Sequence, residues 1–316
     1  MKFLEKLIRK TNVFQRTIGL TIQQFDLLVE KVAPHWNIEE EKRKLQRNRK
    51  RKIGAGHPYR LQDLRQKILA ILLYYKLYLT QEFLGVVIDL DQANISRLLK
   101  KILPLIEQAA DPGMAAYFNK IKDEQKAAEK TNDWANFFAK YPELKDVSTD
   151  ATEQQCYRSQ DNDVQKEHYS GKKKRHTIKT QISVTPSGRI LDVSESYPGS
   201  VHDKTVIDQE ETIKKFPTKT CLRFDSGYQG VKEDNPDHYI VLPTKKPKGK
   251  ELSGLAKEHN RVNSKRRVIA EHAYSRLKKF RILGNLYRGP IQSYNQIFRS
   301  IASILNFKLA NPAIVM

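Results

Sequence analysis

Cysteine is scarce in this chain: there are two in 316 residues, Cys156 and Cys221, and neither belongs to a CxxC pair. That excludes a structural zinc site built on paired thiolates and fits reduced thiols in a cytosolic protein. Long apolar runs are also missing. The longest, Ile68 to Tyr75, falls far short of the ~20 residues that span a bilayer. The first residues, MKFLEKLIRKTNVF, interleave charged and apolar side chains and do not read as a signal peptide. A soluble, cytoplasmic protein without membrane association is expected, and in a bacterium one close to the nucleoid. Acid is short relative to base: 36 Asp and Glu stand against 57 Lys and Arg, a net charge of +21. So large an excess attracts polyanions, of which nucleic acid is the commonest. A basic solvated surface or an acidic protein partner stays open at this point.

What is present suffices for folded domains. Hydrophobic residues make up 39% of the chain and charged residues 29%, so a packed core is feasible, and the length suits two or three domains. Residues 1–35 show helical spacing in Phe3, Leu4, Leu7 and Ile8 and again in Phe25, Leu27, Leu28 and Val32, with Thr21 placed to cap the second helix. Lys42 to Lys52 carries eight basic residues and no acid, a run that suits either a phosphate backbone or a solvated linker.

Three helices are predicted over 61–110. Leu64, Ile68, Ile71 and Leu72 stripe the first. Thr80 caps the second, Gln81 to Ile88. Asp89-Leu90-Asp91 forms a turn, and Asp91 caps the third, from Gln92 to about Leu103. On the third helix Ile95, Leu98, Leu99 and Ile102 share one face and Gln92, Ser96, Arg97 and Lys100 the other. That is the pattern of a helix-turn-helix whose second helix reads base edges and phosphates. An ordinary bundle with a polar outer face has the same pattern. Residues 111–145 read as a helical connector anchored by Trp134, Phe137 and Phe138.

From Asp146 the pattern changes to strands: Lys174 to Val184, a turn at Pro186-Ser187-Gly188, Arg189 to Ser196, Thr220 to Phe224 and His238 to Leu242. Thr205 to Phe216, Arg266 to Phe280 and Tyr294 to Leu309 read as helices, and 245–265 as a basic loop. Strands followed by helices give a mixed sheet flanked by helices.

Three acids stand out. Asp150 follows Val147-Ser148-Thr149 at the expected end of a strand. Asp225 ends another strand and opens a Gly-containing turn. Glu271 lies within the Arg266 to Phe280 helix. Carboxylates at neighbouring strand ends can share a hard cation, and two such ions can serve in-line phosphodiester cleavage. Each acid singly has a plainer reading: a turn at Asp150, an Asp-initiated turn at Asp225, and an ion pair with Arg267 for Glu271.

The order of STDATE around Asp150, HYSGKKKRHTIKTQ (168–181), YPGSVHD (197–203), DSGYQG (225–230) and RRVIAEHAYSRLKKFRIL (266–283) resembles bacterial insertion-sequence transposases of the DDE superfamily, in the group related to Harbinger transposases. The resemblance runs from about residue 60 to the end. It implies an α/β or α+β fold class: an RNase H-like catalytic domain over 146–316, preceded by an all-α helix-turn-helix domain over 59–110, a connector over 111–145 and an N-terminal helical region with a basic linker over 1–58. It implies Asp150, Asp225 and Glu271 as catalytic residues holding two divalent ions, Mg²⁺ or Mn²⁺.

Other motif residues admit roles beside these. His202 and Asp203 can support the metal ligands or simply cap the helix that follows. Lys172, Lys173, Lys174 and Arg175 can grip DNA or form a charged hairpin edge. Arg267, Tyr274 and Lys278 share Glu271's side of its helix, where Arg267 and Lys278 can contact DNA. The implied function is cut-and-paste transposition: binding of terminal inverted repeats, hydrolysis at each end, and attack of the 3′-hydroxyls on target DNA by a dimer or larger assembly on double-stranded DNA. The rivals are a transposase-derived DNA-binding regulator and an RNase H-like nuclease without strand transfer.

Overall fold

The computed structural model describes residues 2–45, 60–61 and 63–312. Most of the basic run, from residue 46 onward, lies outside them. Two compact units emerge: residues 1–112, 278–284 and 296–316 form one, and residues 113–277 and 285–295 the other.

The first unit is all-helical. It opens with α1 (Lys2–Arg9), α2 (Thr11–Ile18) and α3 (Ile22–Leu45). Thr21 caps α3 as expected, and the cap is reciprocal. The Gln24 N–H donates to Thr21 Oγ1 while the Thr21 N–H donates to Gln24 Oε1, so two otherwise orphaned donors are satisfied. The next helices are α4 (Leu64–Leu77), α5 (Gln81–Ile88) and α6 (Gln92–Ala110). Thr80 caps α5 by accepting from the Phe83 N–H. Asp91 takes the N-cap conformation of α6, but its side chain makes no capping bond.

The turn between α5 and α6 is tight. Asp89 is left-handed at φ 56°, and a Cβ at Gly85 would lie 2.4 Å from the Leu90 carbonyl oxygen, so only glycine fits there. α6 runs past the expected end near Leu103, through Pro104 to Ala110. An interior proline costs about 3 kcal/mol, which the buried stripe of Ile102, Leu103, Leu105, Ile106 and Ala109 offsets.

The second unit opens with α7 (Pro112–Thr131) and α8 (Trp134–Lys140), then adds β1 (Asp146–Gln155), α9 (Asn162–His168), β2 (Tyr169–Ser170), β3 (Arg175–Val184), β4 (Ile190–Val193), β5 (Tyr197–Pro198) and α10 (Asp203–Gln209). It closes with β6 (Cys221–Arg223), α11 (Val231–Asp234), β7 (Ile240–Val241) and α12 (Gly254–Lys278). The last helices, α13 (Arg281–Gly284) and most of α14 (Tyr294–Ala310), group with the first unit.

The strands make one mixed sheet in the order β2-β3-β1-β6-β7, with β4 and β5 also pairing β3. β1 is antiparallel to β3 and parallel to β6. β3 and β4 form the expected hairpin. One sheet face carries Val147, Leu222, Phe224 and Ile240 into a core with Leu191, Ile207, Ile213 and Tyr228 and with the aromatics Tyr117, Phe137 and Tyr141 of the connector. The connector is therefore part of this unit's core. β3 is buried from Thr177 to Val184 on both faces, so the alternation read in the sequence does not leave one side to solvent.

β1 and α12 also differ from the sequence reading. β1 does not end at Asp150: it continues to Gln155, paired with β3 along its length. The polar residues 254–265, read as loop, are the first half of α12. Ser253 Oγ accepts from the Ala256 N–H at its start, Arg261 pairs with Glu258 one turn away, and no proline interrupts it. Polarity there marks a solvated helix face. No described helix is long and apolar enough to cross a membrane.

Candidate active site

β1 and β6 are in register at Ser148↔Arg223, and the pairing stops there. Asp150 lies two residues beyond Ser148 and Asp225 two beyond Arg223. Side chains alternate along a strand, so the two carboxylates stand at matched positions on the face that bears Asp146 and Arg223. That face is fixed by a bidentate bond: Arg223 Nε donates to Asp146 Oδ1 at 2.8 Å and its Nη2 to Oδ2 at 2.9 Å. Where the strands part, the sheet opens beside both acids, as ligand sites in open α/β sheets do.

α12 lies along this face. Asn263 accepts from Arg223, Arg266 approaches Asp146 at 3.6 Å, and the Tyr274 hydroxyl donates to the Asp150 carbonyl oxygen at 2.5 Å. Asn263, Ala270, Ala273, Tyr274 and Leu277 are its buried stripe. Glu271 sits at the margin of that stripe, one turn after Arg267 and just before Tyr274. Its side chain is exposed.

Burial pushes the Asp150 carboxyl up to about 6. The charges of Asp225 and Asp203 add to the rise, while the Ala151 N–H and Arg267 oppose it. Tyr228 and Tyr274 are held well above the usual phenol range, first by burial and then by Asp150, to which Asp203 and Asp225 add at Tyr228, so both stay neutral donors. Asp225 accepts from the Gly227 N–H at 2.7 Å. A Cβ at Gly227 would lie 3.0 Å from Asp225 Oδ1 and 3.2 Å from Asp203 Oδ2. Glycine is therefore the residue that lets these two carboxylates approach.

Asp203 is held from behind by Lys179. The buried Lys179 Nζ donates to Asp203 Oδ1 at 2.6 Å and to the Val201 carbonyl, with Glu153 4.0 Å away. His202 caps α10, its Nδ1 accepting from the Lys204 N–H.

The sequence-derived candidates thus separate. Asp150, Asp203, Asp225 and Arg267 come together; Glu271 stands beside them, turned outward. Lys172, Lys173, Lys174 and Arg175 form the exposed turn between β2 and β3, with Lys174 left-handed at φ 53°. Lys278 is exposed at the last residue of α12. In the helical unit Gln92, Arg97 and Lys100 are exposed and Ser96 half-buried on α6, opposite the buried Ile95, Leu99 and Ile102. Lys179 and Tyr228 went unnoticed in the sequence. The only signal for Lys179 was a cation in the middle of a strand whose neighbours are Thr, Ile and Gln.

The donor set fits a hard divalent cation. Carboxylate oxygens are its preferred ligands, and a cation between the two acids would offset both the burial and the neighbouring charge that raise Asp150. Among the described residues no three His, Cys, Asp or Glu side chains are grouped tightly enough to share an ion. The fit is therefore to Asp150 and Asp225, with Asp203 and Glu271 as the acids nearest to completing it. Arg267 Nε is buried without a hydrogen-bond partner among the described residues, a donor that a phosphate oxygen can satisfy.

The raised Asp150 value makes a stability prediction. The folded state binds this proton more tightly than the unfolded chain, whose value is 3.8. Asp150 therefore costs stability as pH rises above about 4, fully so above about 6. With EDTA present, Asp150→Asn at pH 7.5 is expected to gain on the order of 3 kcal/mol, and the gain should vanish near pH 4. Urea denaturation of both proteins at the two pH values checks this; no gain at pH 7.5 would refute it.

The chain is 27% identical over 297 residues to a "Probable transposase for insertion sequence element IS702" from Microchaete diplosiphon, covering 94% of each chain. No solved structure matches. The DDE superfamily endonuclease family model matches residues 149–306, which takes in Asp150, Asp225, Glu271 and the whole of α12; the chain belongs to the DDE superfamily of endonucleases.

Proposed function

We propose that this protein is a DNA transposase. It binds the terminal inverted repeats of the element that encodes it, cuts a phosphodiester at each end, and joins the freed 3′-hydroxyls to target DNA. The observation that carries this reading is the register of β1 and β6, which puts Asp150 and Asp225 side by side where two strands part, under a helix that supplies Arg267 and Glu271. A pair of Mg²⁺ or Mn²⁺ ions held by Asp150, Asp225 and Glu271 would supply a deprotonated nucleophile and neutralise the leaving oxygen. The chain's own part is positional. Arg267 offers its buried Nε to the scissile phosphate, Tyr274 fixes the β1 backbone at Asp150, and Lys179 keeps Asp203 beside Asp225. A mixed sheet with its acids at the opening between parallel strands supports an RNase H-like catalytic domain.

In this reading α4, α5 and α6 form a helix-turn-helix domain. Gln92, Ser96, Arg97 and Lys100 read the repeat, while Lys172, Lys173, Lys174, Arg175 and Lys278 contact phosphates. The DNA-binding domain of this reading lies in the helical unit and the catalytic domain in the sheet unit, which takes in the connector 111–145. Joining two ends requires at least two protomers on DNA.

The test is an incubation with Mg²⁺ or Mn²⁺ of the full chain and a duplex carrying the ends of its own element. Nicking at the ends and joining to a target plasmid is the expected result. Binding without nicking under either ion would replace this reading by a DNA-binding regulator, and nicking without joining by a nuclease.

A further inference from the structure

At the far end of the strands that carry Asp150 lies a hollow of about 570 Å³ lined by Arg158, Asn162, Gln165, Lys166, Tyr169 and His176. Its volume is in the range of small-ligand sites, and no carboxylate lines it. Tyr169, on the edge strand β2, is 44% exposed. It packs edge-on against His176, its cross-strand partner, at 5.6 Å between ring centres, which leaves the rest of the phenol ring open to the hollow. Arg158 is braced: its Nε donates to Gln165 Oε1 at 2.7 Å, and Gln165 Nε2 donates to the Ser159 carbonyl. Lys166 lies 3.8 Å from Asp163, but both side chains are more than four-fifths exposed. Such a pair is worth little and exchanges readily for a phosphate. The exposed turn Lys172–Arg175 joins β2 to β3 beside it.

The same strands set the distance to the acids. Ile182 of β3 pairs with Asp150, and His176 lies six residues away along β3, at most about 20 Å at ~3.3 Å per residue. That equals the rise of about six nucleotides at 3.4 Å each.

We propose that this hollow takes an unpaired base of the DNA strand, stacked on Tyr169, about six nucleotides from the scissile phosphate, with Arg158 and Lys166 on the flanking phosphates. The inference rests on the DNA reading above and adds a site to it. A duplex keeps the faces of its bases stacked inside and presents only their edges and its phosphates, for which an open aromatic ring is not needed. An open aromatic ring flanked by a braced arginine, an exposed lysine and amides matches a base whose face is free.

The test is fluorescence anisotropy of the full chain with a labelled oligothymidylate and, separately, a duplex of equal length, in EDTA so that cutting plays no part. Tyr169→Ala should weaken oligothymidylate binding about tenfold or more, Tyr169→Phe should stay within about twofold of wild type, and duplex binding should change less than about twofold in both. Unchanged oligothymidylate binding by Tyr169→Ala overturns the proposal, as does an equal loss on both probes. Failure of the wild type to bind oligothymidylate while it binds and cuts duplex ends overturns this site alone and leaves the transposase reading standing.

Discussion

Asp150→Asn and Asp225→Asn are each expected to lose end-nicking by roughly 10³-fold or more while keeping their affinity for duplex DNA. The two positions are matched across the parting of β1 and β6. Their charges already work against one another, as the elevated Asp150 value shows. Removing either charge while keeping the side chain's shape deletes a cation ligand without opening a cavity, so folding is not at stake.

The third acid is where the experiment is most informative. Glu271 flanks Arg267 and Tyr274, both of which reach Asp150, yet its carboxylate is exposed. Asp203 lies closer, across Gly227 from Asp225. Glu271→Gln is expected to match the two aspartate variants, with Asp203→Asn milder. The opposite order, with Glu271→Gln still cutting and Asp203→Asn inert, would assign the third ligand to Asp203. Full activity in Asp150→Asn or Asp225→Asn would refute the site itself. Rates of nicking on a labelled duplex and anisotropy on the same duplex in EDTA give both readouts.

Replacing Lys179 should be the most destabilising single change in the sheet unit. The side chain is 7% exposed and neutralises Asp203 at 2.6 Å, with Glu153 at 4.0 Å on the strand alongside. Removing one member of a buried ion pair leaves the other charge desolvated, at a cost of about 3–5 kcal/mol. Lys179→Met keeps most of the aliphatic packing and is expected to lose that amount. Adding Asp203→Asn should recover a large part of it, because the stranded charge is then gone. One tryptophan lies in each unit, Trp36 in the helical one and Trp134 in the sheet one. Urea denaturation followed by Trp134 fluorescence in a Trp36→Phe background therefore reports the sheet unit. A loss below about 1 kcal/mol for Lys179→Met, or no recovery in the double variant, would mean that the pair is not the anchor of Asp203.

Much of the local structure was legible because it is set by short-range chemistry. The Thr21 and Thr80 caps, the turn at Asp89 and the hairpin around Pro186-Ser187-Gly188 all follow from side-chain to backbone bonds and preferred backbone angles within a few residues. Motif order alone singled out Asp150, Asp225 and Glu271, of which the structure sets the first two side by side. The N-terminal half of α12 was not: its polar residues carry no apolar stripe of their own, and their helix is secured by a cap and an ion pair. Nor was the end of β1, which continues past Asp150 because β3 pairs with it from Ser148 to Gln155, a contact between distant residues.

By itself, then, the sequence determined the candidate acids, the net charge of +21 and most of the helices. Tertiary structure alone decided which acids meet. The register of two parallel strands places Asp225 against Asp150, a glycine lets Asp203 in, a buried lysine holds it, and the angle of α12 leaves Glu271 at the rim. The physical reason is that parallel strands share no turn that could set their register, and the facing of a helix depends on residues far away in the chain.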